Sequence, residues 1–179
     1  CRVLSSADTD PYSAYAGAVG SLKGSKHGGA NHQVLGMQAE IKENVKNWED
    51  DDEVAAYIAK IVNKEAYDKT GLIYGMGHAV YTLSDPRTVI LRQSARTLAA
   101  QRGMLDELEL MEAVERVTPR VFAEVTGHEK VMCANVDMYS GLIYQMLDIP
   151  PDLFTPLFAV ARITGWCAHR MEEVLTGGR

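Results

Sequence analysis

Two histidines, one aspartate and two arginines stand out in this chain for the chemistry they could share. His27 lies in Lys23-Gly24-Ser25-Lys26-His27-Gly28-Gly29-Ala30-Asn31, and His78 closes Gly75-Met76-Gly77-His78. Arg87 ends Asp85-Pro86-Arg87, Asp137 ends Asn135-Val136-Asp137, and Arg162 ends Phe158-Ala159-Val160-Ala161-Arg162. Such a set suits carbon-acid chemistry. A carboxylate can take a proton from the carbon beside a carbonyl, and two imidazoles can polarise two carbonyl oxygens. Two guanidiniums can hold a dicarboxylate by paired hydrogen bonds.

Each residue also has a plainer reading. His27 precedes two glycines and a helix start, where free N–H groups and close backbone approach favour a ligand. The positive end of a helix also keeps such an imidazole neutral and able to donate to an enolate oxygen. Its plain reading is a turn histidine. The Gly-x-Gly before His78 lacks the strand–turn–helix frame of a nucleotide fingerprint, and a glycine-rich turn with Asp85 as helix cap would account for it. Arg87 sits at a helix start, where the dipole disfavours a cation, so carboxylate binding gains weight. Asp137 has apolar neighbours, which would raise its pKa and suit a base, but it also suits a helix N-cap. Arg162 lies between Phe158 and Trp166 on one helix face. If buried there it needs an anion, from a structural carboxylate or a substrate. His32, His128 and His169 carry weaker signals, and no histidine–acid spacing predicts a metal site.

The elements that must position these residues read almost entirely as helix. Asp10-Pro11 starts one, with a capping carboxylate and proline at the first helical position, and Gly24 stops it. Asn31 opens a second through Val34, Gln38 and Ile41. The acidic run 49–53 starts a third, where negative charge suits the helix dipole. Gly71, Gly75 and Gly77 make 65–85 a loop, in which Leu72 to Tyr74 fits a short strand. Asp85-Pro86 opens a helix that ends near Gly103. A longer one follows, which Pro119 should kink or split. Asn135 to Asp137 fall in a loop before another helix, and Thr155-Pro156 opens the last, carrying Arg162, Trp166 and His169. The fold class is therefore all-α.

Bulk composition narrows the partners. The chain has 179 residues, 46% hydrophobic, with a net charge of −6. Its basic residues form no run suited to nucleic acid, and no apolar stretch has membrane-spanning length or a signal-peptide pattern. Cys1, Cys133 and Cys167 are odd in number and far apart, which fits a reducing cytoplasm better than a disulfide framework.

Taken in order, the segments Leu22 to Asn31, Gly75 to Tyr81, Asp85 to Arg87, Asn135 to Gly141, and Phe154 through Arg162 to Trp166 resemble those of citrate synthases. The resemblance runs from one end of the chain to the other. It implies an all-α, citrate-synthase-like fold, present in part: a large-domain segment at 1–28, a small domain at 29–148 and a large-domain helix segment at 149–179. It implies condensation of acetyl-CoA with oxaloacetate to citrate and CoA. Asp137 would be the base on the acetyl methyl group, His27 would stabilise the enol, and His78 would polarise the ketone. Arg87 and Arg162 would bind the oxaloacetate carboxylates. The loop of Gly75, Met76 and Gly77 would lie against coenzyme A. Acetyl-CoA would be a co-substrate, with no tightly bound cofactor, in a cytoplasmic homodimer of the tricarboxylic acid cycle.

The resemblance also implies a third substrate histidine ahead of Cys1 and a further arginine beyond Arg179. The chain thus reads as a fragment, inactive by itself. Ser25-Lys26 stands where the family has Pro-Leu, Thr82 where a basic residue is common, and Ala134 where a proline is usual. Lys26 would lower the pKa of His27, and Thr82 weakens the case for one coenzyme A phosphate contact. Two alternatives stay open: a 2-methylcitrate synthase or citryl-CoA-cleaving relative with the same acid–base groups, and a non-catalytic helical module.

Overall fold

The computed structural model describes residues 1–24, 28–128 and 131–177. They form eight α-helices: α1 (Arg2–Ser5), α2 (Pro11–Leu22), α3 (Ala30–Asn44), α4 (Asp51–Val62), α5 (Pro86–Arg102), α6 (Leu105–Thr126), α7 (Asp137–Met146) and α8 (Phe154–Thr176), with a 3₁₀ turn at Pro151–Leu153. The helices divide into two compact units. One joins Cys1–Gly29 to Asp152–Arg179, and the other is Ala30–Pro151.

Helix starts follow the chemistry of their caps. The Asp10 carboxylate accepts the Ser13 N–H at 3.0 Å ahead of Pro11, and Asp85 accepts the Arg87 N–H at 3.0 Å ahead of Pro86. Asp50 caps α4 through the Asp52 and Glu53 N–H groups. Gly103, Gly127 and Gly177 end α5, α6 and α8 in the left-handed conformation that glycine adopts without steric cost.

In the second unit, α3, α4, α6 and α7 enclose the core. Met37, Ile41, Ile58, Ile61, Leu108, Met111, Met138 and Leu142 are all buried to within a few per cent. Burial of one such side chain contributes about 1.5–3 kcal/mol. Ion pairs Asp51–Arg116 and Asp52–Arg120 lace α4 to α6 at the surface. In the first unit, α1 and α2 pack on α8. Arg170 donates to Ser5 at 3.4 Å, and Arg2 pairs with Glu172 and Glu173. Only Phe154 and Trp166 of α8 are buried.

The split at Pro119 and the strand at Leu72 to Tyr74 are corrected. α6 runs unbroken from Leu105 to Thr126 through Pro119. The proline removes the hydrogen bond to the Glu115 carbonyl, but burial of Val114, Val117, Thr118 and Val121 on both sides holds the helix. The triplet Leu72 to Tyr74 is not a strand. The sole bridge among the described residues joins Met76 to Ala134, further along the loop.

Candidate active site

Two loops meet in the second unit. The Gly77 N–H donates to the Cys133 carbonyl at 2.8 Å, and the Asn135 N–H donates to the Gly75 carbonyl at 2.8 Å. Asn135 completes the join with its side chain: Nδ2 donates to the Gly77 carbonyl at 2.8 Å, and Oδ1 accepts the Asp137 N–H at 2.9 Å. One amide thus fixes the loop before His78 and holds the first N–H of the helix that begins at Asp137. The sequence offered Asp137 as an N-cap. The N-cap position is Val136, which makes no side-chain cap bond, and Asp137 is the first residue of α7. Gly75 is required here on two counts. Its φ is +84°, and a Cβ would sit 2.9 Å from the Met138 Cα.

His78 is oriented by the backbone that follows it. Its Nδ1 lies 2.9 Å from the Val80 N–H and 3.1 Å from the Tyr81 N–H. Both are donors, so Nδ1 carries a lone pair, and in the neutral ring the proton is on Nε2. That Nε2 lies 3.2 Å from Arg87 Nη2. The imidazole edge and the guanidinium are thus immediate neighbours, placed to meet two adjacent oxygen acceptors. The Tyr81 ring packs against both, 4.7 Å from the His78 centroid and 5.9 Å from Arg87 Cζ.

Asp85 fixes the guanidinium. Arg87 donates Nε to Oδ1 at 3.0 Å and Nη2 to Oδ2 at 2.7 Å, a bidentate pair. Asp85 is 1% exposed. Its hydrogen bonds with Arg87 hold its carboxyl below the usual carboxylate range against the opposing effect of burial. The same pair raises the pKa of Arg87, and the negative charge of Asp137 acts in the same direction. The sequence identified Asp85 as a cap but missed that it also clamps the Arg87 side chain. Spacing alone held the signal, since a carboxylate two residues before an arginine can reach both its N–H and its guanidinium.

The remaining candidates are placed separately. His27 lies outside the described residues. Arg162 belongs to the first unit, where it lines a cavity of about 240 Å³ with Cys1, Ala18, Ser21, Leu22 and Trp166. It is exposed rather than buried, because α8 turns little but Phe154 and Trp166 inward. In the glycine loop, the Met76 N–H is donated to Ile73 and the Gly77 N–H to Cys133. No cluster of three or more histidine, cysteine, aspartate or glutamate side chains among the described residues is placed to hold a metal ion.

The whole chain, residues 1–179, matches the family model described as citrate synthase, C-terminal domain. The chain belongs to the citrate synthase family. It is 45% identical over 174 residues to the citrate synthase of Synechocystis sp., covering 97% of this chain and 39% of that one. It is 36% identical over 172 residues to 2-methylcitrate synthase 1 of Corynebacterium glutamicum, covering 96% and 40%. The crystal structure of the citrate synthase from Pyrobaculum aerophilum superposes with a TM-score of 0.75 at 28% identity, covering 98% of this chain and 40% of that one. The chain thus spans about 40% of the length of the curated citrate synthases it matches. The all-α architecture expected from sequence agrees with this family fold.

Proposed function

We propose that the chain supplies acid–base and substrate-binding residues for condensing acetyl-CoA with oxaloacetate to give citrate and CoA. The observation that carries this reading is the pairing of His78 Nε2 with Arg87 Nη2 at 3.2 Å, with Asp85 holding the guanidinium. A 2-oxo acid presents a ketone oxygen and a carboxylate oxygen side by side, and two adjacent N–H donors suit that pattern. Asp137 would remove the methyl proton, and His27 would donate to the enol oxygen. Arg162 would bind a second carboxylate.

Gly75, Met76 and Gly77 would lie against coenzyme A. The N–H groups of Met76 and Gly77 and the carbonyls of Gly75 and Gly77 are already bonded within the protein, so such contact would be chiefly with the bare glycine surface. The segments 1–28 and 149–179 would belong to a large domain and 29–148 to a small one. The active form would be a longer polypeptide, a cytoplasmic homodimer, and the chain by itself would be inactive. No helix among the described residues is long and apolar enough to cross a membrane.

A second reading, 2-methylcitrate synthesis from propionyl-CoA, rests on the similarity to the Corynebacterium 2-methylcitrate synthase. Oxaloacetate-dependent release of the CoA thiol by the longer enzyme tests both. Faster release from acetyl-CoA supports the first reading and faster release from propionyl-CoA the second. Release from neither removes both.

A further inference from the structure

Arg92 on α5, Glu115 on α6 and Tyr139 on α7 meet at a single carboxylate oxygen. The phenol of Tyr139, fully buried, donates to Glu115 Oε2. Arg92 Nη1 approaches the same oxygen at 3.4 Å. Tyr139 lies two residues after Asp137, and Arg92 five residues after Arg87. At a rise of about 1.5 Å per residue, both contacts fall within roughly two turns of the helix starts that carry those residues. Glu115 on α6 thus touches both α5 and α7, which also pack directly on each other.

The contact also borders the joined loops. A cavity of about 550 Å³ is lined by Arg92 and Glu115 and also by Met76 and Cys133, which flank the loop pairing. A shift of α7 would therefore move Asp137, the Asn135 amide and the loop of His78 together. We propose that Glu115 is a positioning residue. It acts through the Tyr139 hydroxyl and Arg92 to hold the start of α7 in register with the start of α5. The inference rests on the reading of Asp137 as the base and Arg87 as a substrate ligand. The physical reason is that a buried hydroxyl strongly prefers its one acceptor, while a carboxylate can accept from two donors at once.

The test has two arms. In the longer enzyme, Glu115→Ala and Tyr139→Phe should lower kcat about 10- to 100-fold, the scale of a misplacement near 1 Å. KM for oxaloacetate should move less than about threefold, as expected when only the transition-state geometry suffers. The isotope effect with methyl-deuterated acetyl-CoA should rise, because proton removal becomes slower. Glu115→Gln, which keeps an acceptor for Tyr139, should retain more activity than Glu115→Ala. An unchanged kcat and isotope effect, or a loss that tracks only the amount of folded enzyme, overturns the proposal.

The second arm needs no turnover. Amide exchange on the 179-residue chain should quicken about tenfold or more at 136–140 in Glu115→Ala and stay unchanged at 54–61 in α4, as local rather than global opening requires. Equal acceleration in both segments overturns the positioning role. Absence of turnover in the unsubstituted enzyme would sink the functional reading, and the exchange arm would then decide the anchoring by itself.

Discussion

The Asn135 side chain bonds the Gly77 carbonyl at 2.8 Å across 58 residues of sequence. Its Oδ1 accepts the first N–H of α7, that of Asp137. Asn135→Ala should remove both bonds at once. The lost bond to the first N–H of α7 and the unpaired half-buried carbonyl each cost about 1 kcal/mol, so a loss of roughly 1–3 kcal/mol is expected. Urea denaturation of the two chains would measure it. Asn135→Asp keeps the acceptor for that N–H but loses the amide donor, so it should recover only part of the loss.

Asp85→Asn should loosen Arg87 while leaving a helix cap. In the longer enzyme KM for oxaloacetate should rise, by about tenfold if one charge-assisted hydrogen bond is weakened. Stability carries an independent signature. Arg87 depresses the folded pKa of Asp85 below its ordinary 3.8. The stabilisation is therefore present above pH 3.8 and is lost as pH falls through the lower folded value. The gap in melting temperature between the unsubstituted chain and Asp85→Asn should narrow as pH falls below 3.8.

Gly75 and Gly77 make a matched pair for substitution. Both have positive φ, +84° and +88°. A Cβ at Gly75 would meet the Met138 backbone at 2.9 Å, whereas one at Gly77 would meet open space. Gly77→Ala should lose about 1 kcal/mol, from the backbone conformation alone. Gly75→Ala should lose more, about 2–4 kcal/mol, because the α7 backbone must move. Denaturant titration of both variants reads the difference.

Tyr57 should titrate late. Burial, then its hydrogen bond to Glu40 at 2.8 Å, pushes its phenol up to about 12 from 10.0. A raised phenol pKa stabilises the fold below pH 10.0, and that contribution is lost as pH rises towards 12. Glu40→Gln should shift the late phenol absorbance step to lower pH, visible by ultraviolet titration of the folded chain.

Local signals were the ones a sequence could carry. Asp10-Pro11 and Asp85-Pro86 announced α2 and α5 because cap and proline act within one turn. His78, Arg87 and Asp137 were singled out from type and motif, and the structure sets His78 beside Arg87. What escaped depended on contacts distant in the chain. Pro119 lies in a helix whose burial on α4 outweighs the missing hydrogen bond. The pairing of 75–77 with 133–135 joins two loops with no periodicity to read. Whether Arg162 would be buried stayed open, because helical periodicity cannot tell which face of α8 finds a cover, and it is exposed.

The division of the chain also orders its assembly. The unit at Ala30–Pro151 is continuous, whereas the other draws on Cys1–Gly29 and Asp152–Arg179. As the chain leaves the ribosome, the helices α3 to α7 of the continuous unit are all made before α8 exists. α1 and α2 must wait for α8, with loop closure across more than a hundred residues. The pairing of His78 with Arg87, and the Asn135 bond to the first N–H of α7, would therefore be in place before the unit holding Arg162 could close.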